Sequence, residues 1–153
     1  MIHCFTGTRE QALRYLQLGC YIGLTGYLWK DKSENGVRKI LEDGVIPLDK
    51  LLVETDAPFM YPNTRASKLP QHIKDCLTEK SVTFLQRYCT FQVNTALQCV
   101  TRQKRESIFL IQRNEPCSLP VTVEMIAAYL NKTPEEVALA TTFNALKVFG
   151  LSG

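Results

Sequence analysis

The first sixty residues switch repeatedly between continuous apolar runs and helical periodicity. Met1 to Phe5 form a short apolar run of strand type. From Thr8, the segment REQALRYLQLG places Ala12, Leu13 and Leu16 on one helical face, with Gly19 as a stop. CYIGLTG follows as a buried strand over Tyr21 to Leu24, closed by Gly26. SENGVRKILEDG then predicts a second helix, with Ser33 as cap, Val37, Ile40 and Leu41 at helical spacing, and Gly44 after its end. A turn at Pro47 leads into a third strand, Leu51 to Glu54. The order strand, helix, strand, helix, strand belongs to parallel α/β architecture with right-handed crossovers. Because none of the three strands shows polar alternation, each is expected to be covered on both faces.

The middle of the chain departs from that rhythm. A helix is predicted around Lys74 to Tyr88, followed by VNTALQCVTRQKRESIFLIQ, in which basic residues precede an apolar β-rich run. This run fits either an extra hairpin or a surface insertion. Arg102, Lys104 and Arg105 could touch phosphates or simply form a solvated face. At the C-terminal end the helical rhythm returns. Pro120 precedes VTVEMIAAYL, where Val123, Ile126, Ala127 and Leu130 form an apolar face. Thr133, Pro134 and Glu136 then spell a capping box for a last helix that closes on Gly150. This pair of helices is expected on the outside of the strands.

Composition narrows the class. The chain has 153 residues, 45% of them hydrophobic and 22% charged, which suits one globular domain with a real core. No apolar run approaches the roughly 20 residues that span a bilayer, so no membrane partner is expected. No secretory signal is visible at MIHCFTGTRE. The net charge of +3 permits a polyanionic partner without arguing for one. The six cysteines are irregularly spaced and contain no CxxC pair, so they are expected to be free thiols of a cytoplasmic or nuclear protein.

The candidate chemistry lies at strand ends. His3 sits in the first strand, and Asp56 follows the third, directly after Glu54 in LLVETDAPF. Residues at the carboxyl ends of parallel strands converge on one face, where a His and an Asp can share a divalent metal. Each residue also has an ordinary structural reading, Asp56 as a turn residue and His3 as a hydrogen-bonded core residue. The second polar cluster is RNEPC, where Arg113 could grip a phosphate and Glu115 is held extended by Pro116. Spacing alone favours a plain polar loop leading into the helix at Val121.

Taken in order, IHCFTGTRE, GCYIGLTGYL, IPLDKLLVETDAPF, RNEPCSLP and TTFNALKVFGL resemble the C-terminal part of the TatD family of metal-dependent deoxyribonucleases. The resemblance covers about residues 1–62 and 113–151. It implies the C-terminal portion of a (β/α)8 barrel of TIM type: three parallel strands with helices in one partial domain over 1–153, carrying an atypical insertion over 63–112. It also implies hydrolysis of DNA phosphodiester bonds with divalent metal ions of the Mg, Mn or Zn class. Carried over, His3 becomes a metal ligand on what would be the sixth strand. Asp56 becomes the metal-linked catalytic acid at the end of the eighth. Glu54, Arg113, Asn114 and Glu115 become supporting or substrate-side residues, with Glu54 placed to pair with RNEP. The family's HxH pair, bridging Glu and further His have no counterpart among these residues, which hold two histidines in all. Three outcomes therefore stay open: a nuclease, an inactive barrel fragment that acts by associating with another protein to cover its strand edges, or a nucleic-acid-binding module.

Overall fold

The computed structural model describes residues 1–31, 33–93 and 109–151. Its elements run α1 (Arg9–Gln17), β1 (Ile22–Leu24), α2 (Val37–Glu42), β2 (Leu51–Val53), α3 (Gln71–Asp75), α4 (Glu79–Tyr88), β3 (Thr90–Val93), β4 (Phe109–Gln112), α5 (Leu119–Leu130) and α6 (Pro134–Val148), with short 3-10 turns between some of them. β1 and β2 pair in parallel, Ile22 opposite Leu51 and Leu24 opposite Val53. The fold is α/β, built around this parallel pair.

The expected first strand is reduced to a single parallel bridge between Ile2 and Ile22. Its backbone still bonds to β1, through Ile2 N–H to Tyr21 O at 2.7 Å and Phe5 N–H to Gly23 O at 2.9 Å. Between them Cys4 takes a left-handed φ of 48°, which breaks the extended ladder. The strand interior is buried as the absence of alternation predicts: Ile22, Leu24 and Leu51 are all nearly inaccessible.

Helix positions follow the sequence more closely than helix faces do. Thr8 caps α1 in a reciprocal capping box with Gln11, but Ala12 is the residue buried on this helix while Leu13 is 42% exposed. Gly36, rather than Ser33, is the N-cap of α2. The helix start is held instead by Asp31, whose carboxylate accepts from Arg38 N–H at 2.9 Å and Ser33 N–H at 3.0 Å. The helix expected over Lys74–Tyr88 is two helices, α3 and α4. Thr78 caps α4, and the buried Glu124 of α5 accepts from Thr78 N–H at 3.0 Å and from the Thr78 and Ser81 hydroxyls. A carboxylate at a helix start satisfies otherwise orphaned donors.

α5 is not the outer helix that its sequence face suggested. It packs against α2, α3, α4, α6 and β2, and Val121, Met125, Ile126, Ala127 and Tyr129 are all buried. A helix apolar on most of its circumference belongs in an interior. α6 lies outside it, with the predicted Thr133–Glu136 capping box formed. Its Asn144 side chain donates to Leu48 O and Leu51 O, both at 2.8 Å, fastening α6 to the entry of β2. Leu139 and Phe143 of α6 and Phe149 beyond it are about 60% exposed.

In the middle segment, α3 and α4 contribute Ile73 and Leu85 to the core. β3 and β4 pair antiparallel, Thr90 opposite Gln112, so the apolar run at Phe109–Gln112 is one arm of a hairpin. Arg102, Lys104 and Arg105 lie outside the described residues. No helix among the described residues is long and apolar enough to cross a membrane.

Candidate metal centre

The centre is built where β2 ends. Glu54 N–H still bonds to Leu24 O at 2.9 Å, adding one rung beyond the paired strand. Asp56 then takes a left-handed φ of 52°, which turns its carboxylate back over the strand ends. The turn is gripped from outside by the RNEP loop. Asn114, buried to 1% exposure, donates from Nδ2 to Thr55 O at 2.6 Å and from its backbone N–H to Pro58 O at 3.1 Å. Its Oδ1 in turn accepts from Glu115 N–H at 3.0 Å.

His3 is brought between the two carboxylates of this turn. Its Nδ1 is 2.5 Å from Glu54 Oε2 and its Nε2 is 3.2 Å from Asp56 Oδ1. The other Glu54 oxygen accepts from Cys4 N–H at 2.5 Å, which the left-handed turn at Cys4 aims toward it. Glu54 is therefore occupied on both sides by the His3–Cys4 segment. RNEP is held through Asn114 and Thr55, not through Glu54.

This arrangement sets the imidazole's chemistry. With Nδ1–H donated to Glu54, the Nε2 lone pair faces a carboxylate oxygen, also an acceptor. Two facing acceptors repel unless a proton or a cation lies between them. The Glu54 carboxylate, by hydrogen bond and charge, raises the His3 pKa above its ordinary value, with a smaller push from Asp56. A divalent ion supplies the positive charge in another form. Ligand atoms about 2.1 Å from one octahedral ion are about 3 Å apart when adjacent, and the His3 Nε2 to Asp56 Oδ1 separation matches that spacing. A ligating His that gives its other N–H to a carboxylate is the usual arrangement around bound metals. The two donors thus fit one edge of a divalent-ion site, with Glu54 as the residue that orients His3.

Among the described residues, no group of three or more His, Cys, Asp and Glu side chains is arranged to hold a metal. Glu54 is engaged by His3 and Cys4. Cys4 is the other close group, its thiol donating to Asp56 Oδ2 at 3.8 Å. Burial pushes that thiol up, the Thr25 hydroxyl opposes it, and Asp56 and Glu54 add smaller upward pushes.

Two contributors were missed in the sequence. Gly23 lies in the middle of β1, where a Cβ would come 2.4 Å from Glu54 Oε1. Glycine there is the space into which the Glu54 carboxylate folds. Thr25 is 3% exposed; its hydroxyl accepts from Tyr27 N–H at 3.3 Å and stands 4.0 Å from Cys4 Sγ. The signal for both was the CYIGLTG strand, whose small and hydroxyl residues stand out among apolar neighbours. Arg113, given a supporting or substrate-side place by the resemblance, pairs its Nε with Glu115 Oε1 at 3.5 Å on the surface.

An open hollow of about 440 Å³ is lined by Thr6, Gly7, Tyr27, Lys30 and Asp31 among others. Lys30 is steadied 5.3 Å above the Trp29 ring. The Trp29 ring donates its N–H to Tyr61 O at 2.7 Å.

A family model described as TatD related DNase matches residues 1–150. The chain belongs to that family. It is 30% identical over 152 residues to a protein of Citrobacter rodentium described as 3'-5' ssDNA/RNA exonuclease TatD, covering 99% of this chain and 42% of that protein. A protein of the same description from Rahnella sp. is likewise 30% identical with the same coverage. The chain therefore spans about two-fifths of the length of these relatives. Among solved structures, a hydrolase TatD family protein from Entamoeba histolytica superposes with a TM-score of 0.63 at 21% identity, covering 94% of this chain and 40% of that one. An uncharacterized amidohydrolase from Saccharomyces cerevisiae gives 0.58 at 19%, covering 95% and 38%. These structures agree with this chain in fold.

Proposed function

We propose that this TatD chain carries one edge of a divalent-metal site for hydrolysing phosphodiester bonds in nucleic acid, DNA first among them. The supporting observation is the His3–Glu54–Asp56 arrangement, in which an oriented imidazole nitrogen and a carboxylate oxygen face each other at metal-ligand spacing. A divalent ion bound there would supply charge to a phosphate and to the water attacking it. His3 Nε2 and Asp56 Oδ1 would hold it, with Glu54 keeping the imidazole in the Nδ1–H form and Asn114 keeping the Asp56 turn in place. Asp56 Oδ2, which accepts weakly from the Cys4 thiol, would be the nearby oxygen able to take a proton from the attacking water. Lys30, which lines the open hollow, is a cation that could meet an incoming phosphate. Arg113 and Glu115 border the same turn as a supporting pair.

In this reading the chain is one partial (β/α)8 domain, its strands corresponding to the last part of a barrel, with residues 63–112 as an insertion. Metals of the Mg, Mn and Zn class suit a site of one nitrogen and one carboxylate. The test is cleavage of a 5'-labelled single-stranded DNA oligonucleotide with Mg or Mn ions by the wild type and by Asp56→Asn. Metal-dependent cleavage lost in the variant supports the proposal; a wild type without cleavage ends it for this chain alone.

A second reading has its own observation. Two donors leave most of a metal's coordination to water, which binds weakly, and the chain spans about two-fifths of its relatives. An inactive partial barrel that functions by associating with another protein fits both facts. The partner would cover the open edges beside Ile2 and β2. Sedimentation velocity tests the second reading, which a stable monomer contradicts; a stable monomer without nuclease activity and without metal uptake removes both.

A further inference from the structure

Two cysteines meet away from the candidate metal centre. Cys89 is the C-cap of α4 and is fully buried. Cys117 lies in the turn just after RNEP and is half-buried. Their sulfurs are 3.5 Å apart. Among the described residues, no other two cysteine sulfurs are in contact. The two positions are the base of the hairpin: the chain leaves through β3 directly after Cys89 and returns through β4 to Arg113, whose N–H bonds to Cys89 O at 3.1 Å.

We propose that Cys89 and Cys117 form an oxidative modification site, closed into an intramolecular disulfide by a low-molecular-weight disulfide of the glutathione type. A disulfide bond is about 2.0 Å long, so closure requires the sulfurs to approach by about 1.5 Å, within reach of side-chain rotation. The exchange proceeds in two balanced steps. The Cys117 thiolate attacks one sulfur of the oxidant, forming a mixed disulfide and releasing one thiolate. Cys89, giving up its proton, then attacks Cys117 Sγ and expels the second thiol. Two cysteine thiols are oxidised, one small disulfide is reduced, and two small thiols leave.

The environment assigns the order. Burial, reinforced by the Cys117 thiol beside it, pushes the Cys89 thiol up to about 12. Cys89 is thus a poor first nucleophile, and the more accessible Cys117 meets the oxidant. The consequence reaches the metal centre through Asn114, three residues before Cys117, which grips Thr55 and Pro58. A disulfide would clasp the base of the hairpin and hold the RNEP loop that braces the Asp56 turn.

The test is to incubate the full chain with oxidised glutathione, alkylate it, and map the peptides without reduction. The expected product is a Cys89–Cys117 linked peptide, reversed by dithiothreitol, with little glutathione retained on Cys117. In Cys89→Ser the glutathione adduct on Cys117 should instead persist, and in Cys117→Ser Cys89 should stay unmodified. The oxidised wild type should melt several degrees higher than the reduced form. A stable adduct on Cys117 of the wild type without the linked peptide would overturn the site. Equal linkage to Cys4, Cys20, Cys76 or Cys99 would do the same, and an unchanged or lowered Tm would overturn the clasp. The wild-type map decides the matter even where Cys89→Ser fails to fold. None of these readings depends on metal or on nuclease activity.

Discussion

The helix α5 and the candidate metal centre are held in opposite ways. α5 is fixed by packing, with the neighbouring helices and β2 sharing its buried surface. The centre is fixed by a few polar bonds around a His3 side chain that is 62% exposed. Packing distributes its load over many weak contacts, so geometry at any single point is tolerant. A hydrogen-bonded corner concentrates it on single atoms, so losing one partner shifts the chemistry while the fold survives. Substitutions in the two regions should therefore separate stability from metal binding.

The largest effect belongs to α5. Ile126→Ala should cost about 2–5 kcal/mol in urea denaturation, leaving the His3 and Asp56 geometry alone in whatever fraction remains folded. Asn114→Ala comes next and touches both regions. It removes a buried side chain that bonds Thr55 O and Glu115 N–H, at a cost of about 1–3 kcal/mol. Because the Asp56 turn loses its brace, metal affinity should fall along with stability. Glu54→Gln should leave the denaturation midpoint nearly unmoved. It should nonetheless weaken Mn binding about 10–100-fold, read by calorimetric titration, because the imidazole loses its ionic orienter. Gly23→Ala should mimic that loss by crowding the Glu54 carboxylate. If Gly23→Ala instead lowers stability and spares metal binding, the two regions are not separable in this way.

The smallest effect is a pH dependence. The raised His3 pKa means that the folded metal-free protein holds a proton more tightly than the unfolded chain does. That stabilisation is fully present below about pH 6.5, the unfolded value, and is lost as pH rises through the raised folded value. The side chain is largely exposed, so solvent screens most of the effect. Comparing metal-free wild type with His3→Gln by thermal melts between pH 5 and 9 should show a small wild-type advantage at the acid end only. An advantage that grows toward alkaline pH would contradict the His3–Glu54 pairing.

Local patterns were read best where the physics was local. The Thr133 capping box and the buried runs at Ile22–Leu24 and Leu51–Val53 depend on residues adjacent in sequence, and they form as expected. The Leu13 face failed because helical periodicity gives a stripe without saying what stands opposite it. Ser33 failed as a cap because Asp31, outside the expected capping position, reaches the same backbone from further away. In the site, His3, Glu54 and Asp56 were visible as residue types at strand ends, but the partner of Glu54 was not. RNEP was expected there; the left-handed Cys4 put its own N–H and His3 in that place instead.

What the sequence determined by itself is the family, the α/β order of elements and the residues that could carry chemistry. Those follow from motif order, apolar periodicity and residue type, all of which are properties of neighbours along the chain. Only the tertiary structure decided that α5 is interior, that Gly23 makes room for Glu54, that Asn114 braces the Asp56 turn, and that Cys89 meets Cys117. Each of these joins positions far apart in sequence, and burial and close approach between such positions exist only once the elements have packed.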